Sequence, residues 1–434
     1  MNYKNKKILI IGMKASGISV ATLLSDRGAE VYCYDDEIKT LSGFRFLDRF
    51  DDAFLKTFSA VIISPGVSDK NPLLNKMKKN GITVKSELDV GCSFLSCPQI
   101  AVTGTNGKTT VVTMIEKLLL LNGNRTKAMG NIGYPVSQVV LDQTELDYAV
   151  IEASSFQLEN AEITPYISVI LNLAPDHMDR YATYADYVNA KKKICMYQTA
   201  ESYLLFNHDD GSARSFMRST KAQGIPVSVK NAVSPIYIKD GYFMDDDQSL
   251  CSVKSCKLRG EHNKFNLLIA LNVGKILGVT KEAMNRLIKE YTVLPNRIEY
   301  VTTLDGIKYF NDSKGTNIHA CRFAIESLDG PIGLIMGGSD KNEDFCDFFE
   351  NIDGKVRHIA VTGGNAEKIY HSALKMGFVN IEILPTLQDA VTYLKGKKDI
   401  ENVLLSPCCA SFDRYKNYAE RGEKFKEAVY AIQK

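Results

Sequence analysis

The stretch AVTGTNGKTT, residues 101–110, decides how the middle of this chain folds. An apolar run ends at Thr103, glycines follow at Gly104 and Gly107, and an amphipathic helical pattern, GKTTVVTMIEKLLLLNG, occupies 107–123. Strand, glycine turn and helix form the setting of a phosphate loop, because the unpaired N–H groups and the dipole of a helix N-terminus attract anions. Lys108 has the length to reach outer phosphates, and the Thr109 hydroxyl suits a Mg²⁺ ion. The usual fingerprint, G-x-x-x-x-G-K-[ST], has Val102 where its first glycine belongs. The loop is therefore a damaged match, a coincidence, or a phosphate loop of a different kind.

Strand–helix alternation surrounds this loop on both sides. KILIIG (7–12), EVYCYDD (30–36) and AVIISPG (60–66) read as strands, the first followed by a helical pattern through Val20, Leu23 and Leu24. Such alternation predicts a parallel sheet. The first loop, G-M-K-A-S-G, carries Lys14 where a dinucleotide fingerprint needs its second glycine. A structural turn and a site for some other phosphate-bearing ligand both fit it. From about residue 96 the alternation restarts with PQIAVTG (98–104), DYAVIEA (147–153), YISVILNL (166–173) and SYLLFN (202–207). A helix is expected at 183–197, an antiparallel insertion or edge over 225–258, and further helices at 261–277 and 280–290. Past Leu294-Pro295 a third block begins at Arg297. It holds a hairpin turning at Asp305-Gly306, the strands PIGLIMGG (331–338), VRHIAVTGG (356–364) and NVLLSP (402–407), and a C-terminal amphipathic helix. The prediction is an α/β chain of three consecutive domains, 1–95, 96–296 and 297–434. The central domain is P-loop-like, with a mostly parallel sheet plus an antiparallel β segment.

Composition agrees with that class. A chain of 434 residues exceeds one ordinary core. Its 53 basic and 51 acidic side chains are mixed along the sequence, leaving a net charge of +2 and no field for nucleic acid or an anionic membrane. The N-terminus MNYKNKKILIIGMKASG does not read as a signal peptide, since Gly12 and Lys14 break its apolar run. No apolar stretch is long enough to span a bilayer. The ten cysteines are scattered, and neither Cys92/Cys97 nor Cys251/Cys256 has a matching pair for zinc. Free thiols in a reducing cytoplasm are expected.

Further polar groups stand at strand ends, where ligands of parallel sheets bind. Glu152 ends DYAVIEA and suits either a Mg²⁺ ligand or a solvated strand-end acid. His177, in APDHMDRY, leaves the next strand on the same side, so the two residues have the option of one shared metal; a structural hydrogen-bonding role fits His177 equally. Lys191, Lys192 and Lys193 read as a solvated helix face. Successive helical residues point about 100° apart, so at most one of the three faces a site, and nothing in the run selects which. NDSKGTN (311–317) follows a strand and opens a helix, with Asp312 and Ser313 as candidate caps and Lys314 as an anion contact. LLSPCCASFDRYKNYAERG (404–422) follows the last strand.

Taken together, TGTNGKTT, GNIG (130–133), SSFQLE (154–159), DHMDRY (176–181), NDSKGTN and LLSPxCASFDxxxNYxxRG resemble the Mur ligase family, in order and over nearly the whole chain. That family's ATP loop is G-T-N-G-K-[ST], so Gly104 is in place and Val102 needs no glycine. The resemblance implies a Rossmann-like UDP-binding domain, a central ATPase domain and a Rossmann-like amino-acid-binding domain. It implies an ATP-dependent ligase of peptidoglycan precursor synthesis, phosphorylating a carboxylate so that an amine attacks the acyl phosphate. The motifs match its D-glutamate-adding branch, acting on UDP-N-acetylmuramoyl-L-alanine. By position, Gly104, Thr105, Asn106, Gly107, Lys108, Thr109, Thr110, Asn266, Arg297 and Asp312 correspond to ATP contacts. Thr109, Glu152 and His177 correspond to metal ligands, and Lys191 to a lysine carbamylated (N6-carboxylysine) to hold a second Mg²⁺. Ser64, Gly66, Asn131 and His177 correspond to contacts with the UDP substrate, and Lys314, Thr316, Lys341, Ser411 and Tyr418 to the D-glutamate site. A cytoplasmic monomer is implied. The sequence departs from the family at Asp36-Glu37, at Asn296 and at Ala174-Pro175, so no UDP contact is carried onto the two acids. The rivals are a sister ligase adding another amino acid and a catalytically silent nucleotide-sugar-binding protein. Intact Lys108, Glu152, His177 and Lys191 argue against the silent protein.

Overall fold

Apolar runs of four to six residues, each stopped by glycine, proline, serine or a polar residue, become the central strands of the molecule. The computed structural model describes residues 3–178, 180–258, 260–292, 294–340 and 344–433. The described chain forms two compact units. The first comprises Met1–Leu173, Ala185–Ser255 and Phe265–Lys289; the second comprises Ala174–Tyr184, Cys256–Lys264 and Glu290–Lys434.

The first unit holds three sheets. Strands β1 (Lys7–Ile11), β2 (Glu30–Tyr34), β3 (Ala60–Ile63) and β4 (Thr83–Ser86) form a parallel sheet in the order β2-β1-β3-β4. Its two faces bury separate apolar sets, Ile8, Ile10 and Ile62 on one side and Leu9, Ile11 and Val61 on the other, as strand alternation requires. Strands β5 (Gln99–Thr103), β6 (Thr126–Gly130), β7 (Tyr148–Glu152), β8 (Ile167–Ile170), β9 (Tyr203–Asn207) and β10 (Gln223–Val227) make a parallel sheet ordered β10-β9-β8-β5-β7-β6. Both faces are covered, which is why Ile100, Val102, Val150 and Val169 are fully buried. β11 (Ile236–Lys239), β12 (Tyr242–Asp245) and β13 (Gln248–Ser252) form the antiparallel insertion.

In the second unit β14 (Glu299–Leu304) and β15 (Ile307–Asn311) form the expected hairpin. Its turn sets Asp305 and Gly306 at φ +50° and +84°, the left-handed pair that such a two-residue turn demands. With β16 (Ile332–Met336), β17 (Val356–Val361), β18 (Ile381–Ile383) and β19 (Asn402–Leu405) it makes a mixed sheet ordered β14-β15-β19-β16-β17-β18.

The sequence reading omits β4, β6 and β18, and starts its antiparallel insertion or edge at residue 225, inside β10, which the structure places at the edge of the main parallel sheet. All four are edge strands. An edge strand pairs on one side only and buries less, so TVKS, TKAMG, IEI and QGIPV carry no sustained apolar run. Among the described residues no helix is long and apolar enough to cross a membrane. None of the ten cysteines forms a disulfide, and burial pushes the thiols of Cys33 and Cys195 up to about 12.

Candidate active site

The phosphate loop closes between β8 and β7, at the strand β5 where the sheet order reverses, the place where open α/β sheets form a ligand crevice. Gly107 caps the helix Lys108–Leu121 at φ +86°, and a Cβ there would stand 2.9 Å from Asn266 Oδ1. A Cβ on Gly104 would meet Leu171 Cβ at 2.9 Å. Both glycines are therefore dictated by space as well as by backbone angle. Asn172 braces the loop from β8. Its carbonyl accepts from Thr105 N–H at 2.7 Å, its Oδ1 accepts from Asn106 N–H at 2.9 Å, and its Nδ2 donates to the Asn106 carbonyl at 3.0 Å. The Thr105 hydroxyl bonds the Tyr187 hydroxyl at 2.9 Å. Thr110 is buried and Thr109 half-buried behind them.

Two lysines converge on this loop. Lys108 Nζ donates to the carbonyls of Gly104 (2.9 Å) and Thr105 (2.8 Å). Lys191 Nζ donates to the same Gly104 carbonyl at 2.9 Å and lies 4.6 Å from the centre of the Tyr187 ring. Lys191 is 2 % exposed, whereas Lys192 and Lys193 are only half-buried. Tertiary packing thus selects the first lysine of the run, which the sequence alone left open.

One strand from the loop, Glu152 is 3 % exposed. Its Oε1 accepts from Asn131 Nδ2 at 2.7 Å, and its carbonyl accepts from Asn131 N–H at 2.9 Å. Gly130 permits this approach, since a Cβ there would lie 2.4 Å from the Glu152 carbonyl oxygen. The second carboxylate oxygen, Oε2, is buried without a hydrogen-bond partner. A buried carboxylate oxygen left in that state is costly, and a divalent cation bound by oxygen ligands would satisfy it. The residues present therefore fit a Mg²⁺ ion. Among the described residues no three His, Cys, Asp or Glu gather as a metal cluster.

At the β1 end of the first unit, Ser64 Oγ donates to the Gly12 carbonyl at 2.7 Å, and beside them opens a cavity of about 450 Å³. Gly12, Lys14, Asp36, Glu37, Ser64 and Gly66 line it. The acids there are tied down. Burial acts to raise the Asp35 carboxyl, but N–H groups of Met13, Ile38 and Glu37 hold it below its ordinary range. Asp36 accepts from Tyr34 and Asn71, and Glu37 pairs with Lys14 at 3.7 Å.

The second unit holds the remaining candidates. His177 and Glu152 do not leave adjacent strands, as the sequence reading had it: their parent strands β8 and β7 flank β5 from opposite sides, and His177 itself belongs to the second unit. It adopts φ +59° with Nε2 3.7 Å from Asp176 Oδ2, and Asp176 also accepts from Asn317 Nδ2 at 3.3 Å. The helix after NDSKGTN, Ile318–Glu326, is capped by Asn317 and not by Asp312 or Ser313. Asp312 is instead buried, accepting from Ser406 Oγ at 2.8 Å, because Gly315 folds the loop over it. Burial pushes its carboxyl up to about 7 against the opposing pull of Ser406 and the Arg297 charge. Burial, with the same Arg297 charge, pushes His262 down to about 4. Lys314 lies over the Tyr418 ring at 3.8 Å, Thr316 is half-buried, and Ser411 is buried. Lys341 lies outside the described residues. The sequence reading missed Asn172, Tyr187 and Arg421. Asn172 ends an apolar run and Arg421 stands among the charges of ERGEK, so neighbours in sequence signal no role, and their roles come from bonds across 66 to 108 positions of chain.

The chain matches known proteins over nearly its whole length. Residues 102–274 match the Mur ligase middle domain, 296–409 the Mur ligase glutamate ligase domain, and 6–86 the Mur ligase MurD-like N-terminal domain. A protein of Caldanaerobacter subterraneus subsp. tengcongensis named UDP-N-acetylmuramoylalanine–D-glutamate ligase is 36 % identical, covering 100 % of both chains. A protein of the same name from Thermoanaerobacter pseudethanolicus is 35 % identical over the same full coverage. Among solved structures, MurF ligase from Thermotoga maritima in complex with ADP superposes with a TM-score of 0.62 at 15 % identity, covering 99 % of this chain and 96 % of that one. A pseudomurein peptide ligase type C from Methanothermus fervidus gives 0.59 at 17 %, covering 99 % and 100 %. At those identities the solved structures speak for the fold, and the full-length sequence relatives speak for descent: the chain belongs to the Mur ligase family.

Proposed function

We propose that this protein adds D-glutamate to UDP-N-acetylmuramoyl-L-alanine with ATP, through an acyl phosphate, releasing ADP and phosphate in cytoplasmic peptidoglycan precursor synthesis. The observation that carries the reading is the convergence of Lys108 and Lys191 on the Gly104 carbonyl, one strand from the unsatisfied oxygen of Glu152. Full-length likeness to proteins named for that reaction supports the choice of amino acid.

The chemistry joins anions to anions, so cations must offset repulsion and stabilise the transferring charge. The loop N–H groups and Lys108 bind the phosphates, with Thr105, Asn106, Thr109, Thr110 and Asn266 shaping the pocket. Arg297 and Asp312 are proposed for the rest of the nucleotide. Thr109, Glu152 and Lys191 as its carbamate would hold Mg²⁺, two ions in all, and His177 is proposed as a further ligand; the ions would supply charge neutralisation on the phosphoryl oxygens. A carbamate gives Lys191 the anionic oxygens that a hard cation prefers. Ser64 and Gly66 line the cavity proposed for the UDP part. Asn131, which already orients Glu152, and His177 are proposed for the muramoyl-alanine part. Lys314, Thr316, Lys341, Ser411 and Tyr418 are proposed for D-glutamate, whose carboxylates need cationic and hydroxyl donors. Domains at 1–95, 96–296 and 297–434 and a monomeric state complete the proposal.

Phosphate release with Mg-ATP and UDP-N-acetylmuramoyl-L-alanine, measured against a panel of amino acids, tests it. Release that depends on D-glutamate and consumes its free amine is expected. Release only with another amino acid moves the chain to a sister ligase, and no release with any amino acid makes it a silent binding protein.

A further inference from the structure

Arg421, in the first turn of the helix Tyr418–Ala431, is 2 % exposed, and its guanidinium is shared among three loops. Nε donates to Ser313 Oγ at 3.0 Å, and Nη2 donates to the carbonyls of Ser313 (2.8 Å) and Cys409 (3.0 Å). Nη1 donates to the carbonyls of Ala410 (3.2 Å) and Gly337 (3.4 Å). These loops leave the carboxyl ends of β15, β19 and β16, three adjacent strands. The packing leaves no slack, because a Cβ on Gly338 would stand 2.1 Å from the Ala410 carbonyl oxygen and 3.0 Å from Nη1.

Every acceptor in that set is a carbonyl or a hydroxyl. Buried charges are ordinarily paired with an opposite charge. Here the acids whose charges reach Arg421 hydrogen-bond elsewhere, Asp312 to Ser406 and Asp413 to Gly364 N–H. Burial lowers the guanidinium only to about 10, so it remains cationic at neutral pH. Its charge is thus offset by these acids only through space, with no carboxylate hydrogen-bonded to it. The bonds also set the direction of two peptides. A planar trans peptide points its C=O and N–H oppositely, so turning the Ala410 carbonyl toward Arg421 turns the N–H of Ser411 away from it, while Ala410 itself is bridged to Ser339, whose N–H donates to the same carbonyl at 2.9 Å.

We infer that Arg421 is a positioning residue for a carboxylate of the amino-acid substrate, holding the Ser411 turn with the Ser411 N–H turned away from the guanidinium and the Cys409 and Ala410 carbonyls withdrawn toward it. The inference rests on the proposal that Ser411, Lys314, Thr316 and Tyr418 form the D-glutamate site. An anion meets donors at this turn and no opposing carbonyl oxygen, while the buried charge behind it adds a favourable potential.

The test uses the full-length protein and its Arg421→Met and Arg421→Lys variants, with separate KM values for D-glutamate, ATP and the UDP substrate, alongside melting temperatures. Arg421→Met should raise the KM for D-glutamate by about 10- to 100-fold, the range of a lost charge-assisted contact, with the other two KM values within about twofold. Arg421→Lys, which keeps the charge but loses the fork, should fall between it and wild type. An unchanged KM for D-glutamate overturns the inference. So does a parallel rise in all three KM values with a lowered melting temperature, which describes a general brace. If Arg421→Met does not fold, the same split in Arg421→Lys decides. Wild-type turnover that does not depend on D-glutamate removes the underlying site assignment instead, and it shows before any variant is made.

Discussion

A lysine run shows what a single residue owes to its surroundings. Lys191, Lys192 and Lys193 are chemically alike and adjacent, yet only Lys191 is buried against the phosphate loop. Lys192 packs 5.8 Å from the centre of the Phe216 ring, and Lys193 donates to the Glu159 carbonyl. Lys191→Ala should lower turnover by about 10²- to 10³-fold or more, the scale of a lost transition-state charge, with little loss of UDP-substrate binding. The same change at Lys192 or Lys193 should be nearly silent in the same phosphate-release assay, and wild-type turnover in Lys191→Ala would refute the carbamate role. Asp312 makes a second prediction. Its folded carboxyl keeps a proton up to about pH 7, whereas an ordinary one loses it near 3.8. The folded state binds more protons between those values, so stability falls as pH rises through that window. Asp312→Asn should flatten this fall, read as melting temperature between about pH 4 and 7. His262 acts in the opposite direction. Its pKa of about 4 against an ordinary 6.5 means that stability is lost as pH drops through that interval. Neither titration was legible in the sequence, because both shifts come from burial.

At the scale of elements, the phosphate loop was the most legible part of the chain. Thr103, Gly104, Gly107 and Lys108 occupy the strand end, turn and helix start that their types suggest. Gly107→Ala should cost about 1–3 kcal/mol of stability, since its φ of +86° strains any side chain, and should also raise the KM for ATP. Chemical unfolding and steady-state kinetics check the two effects separately. Interior strands were equally readable, being apolar on both faces. The edge strands β4, β6, β10 and β18 were not, because a strand paired on one side tolerates the polar and small residues of TVKS or QGIPV. The cap of helix Ile318–Glu326 was misread for a related reason. Asp312, Ser313 and Asn317 are all competent caps, and only the fold of the loop over Gly315 commits Asp312 to Ser406 and leaves Asn317 to the helix.

For the whole molecule, ligand binding and folding are linked. Mg-ADP at about 100 times its Kd should stabilise the fold that binds it by about 2.7 kcal/mol, seen as a rise in melting temperature. Lys108→Ala should lose most of that rise while melting near wild type without nucleotide. The chain's own residues determined the class of the protein: the alternation of apolar runs and helical patterns, the glycine loop and the ordered motifs require parallel α/β architecture around an ATP site. Those features are local, written in neighbours a few positions apart. Tertiary structure alone decided which of three lysines is buried, that Glu152 keeps one oxygen unsatisfied, and that Arg421 gathers three loops. Each of these depends on residues distant in the chain meeting in a low-dielectric interior. There a polar group must find a partner or bear the cost, and no local pattern records which partner it finds.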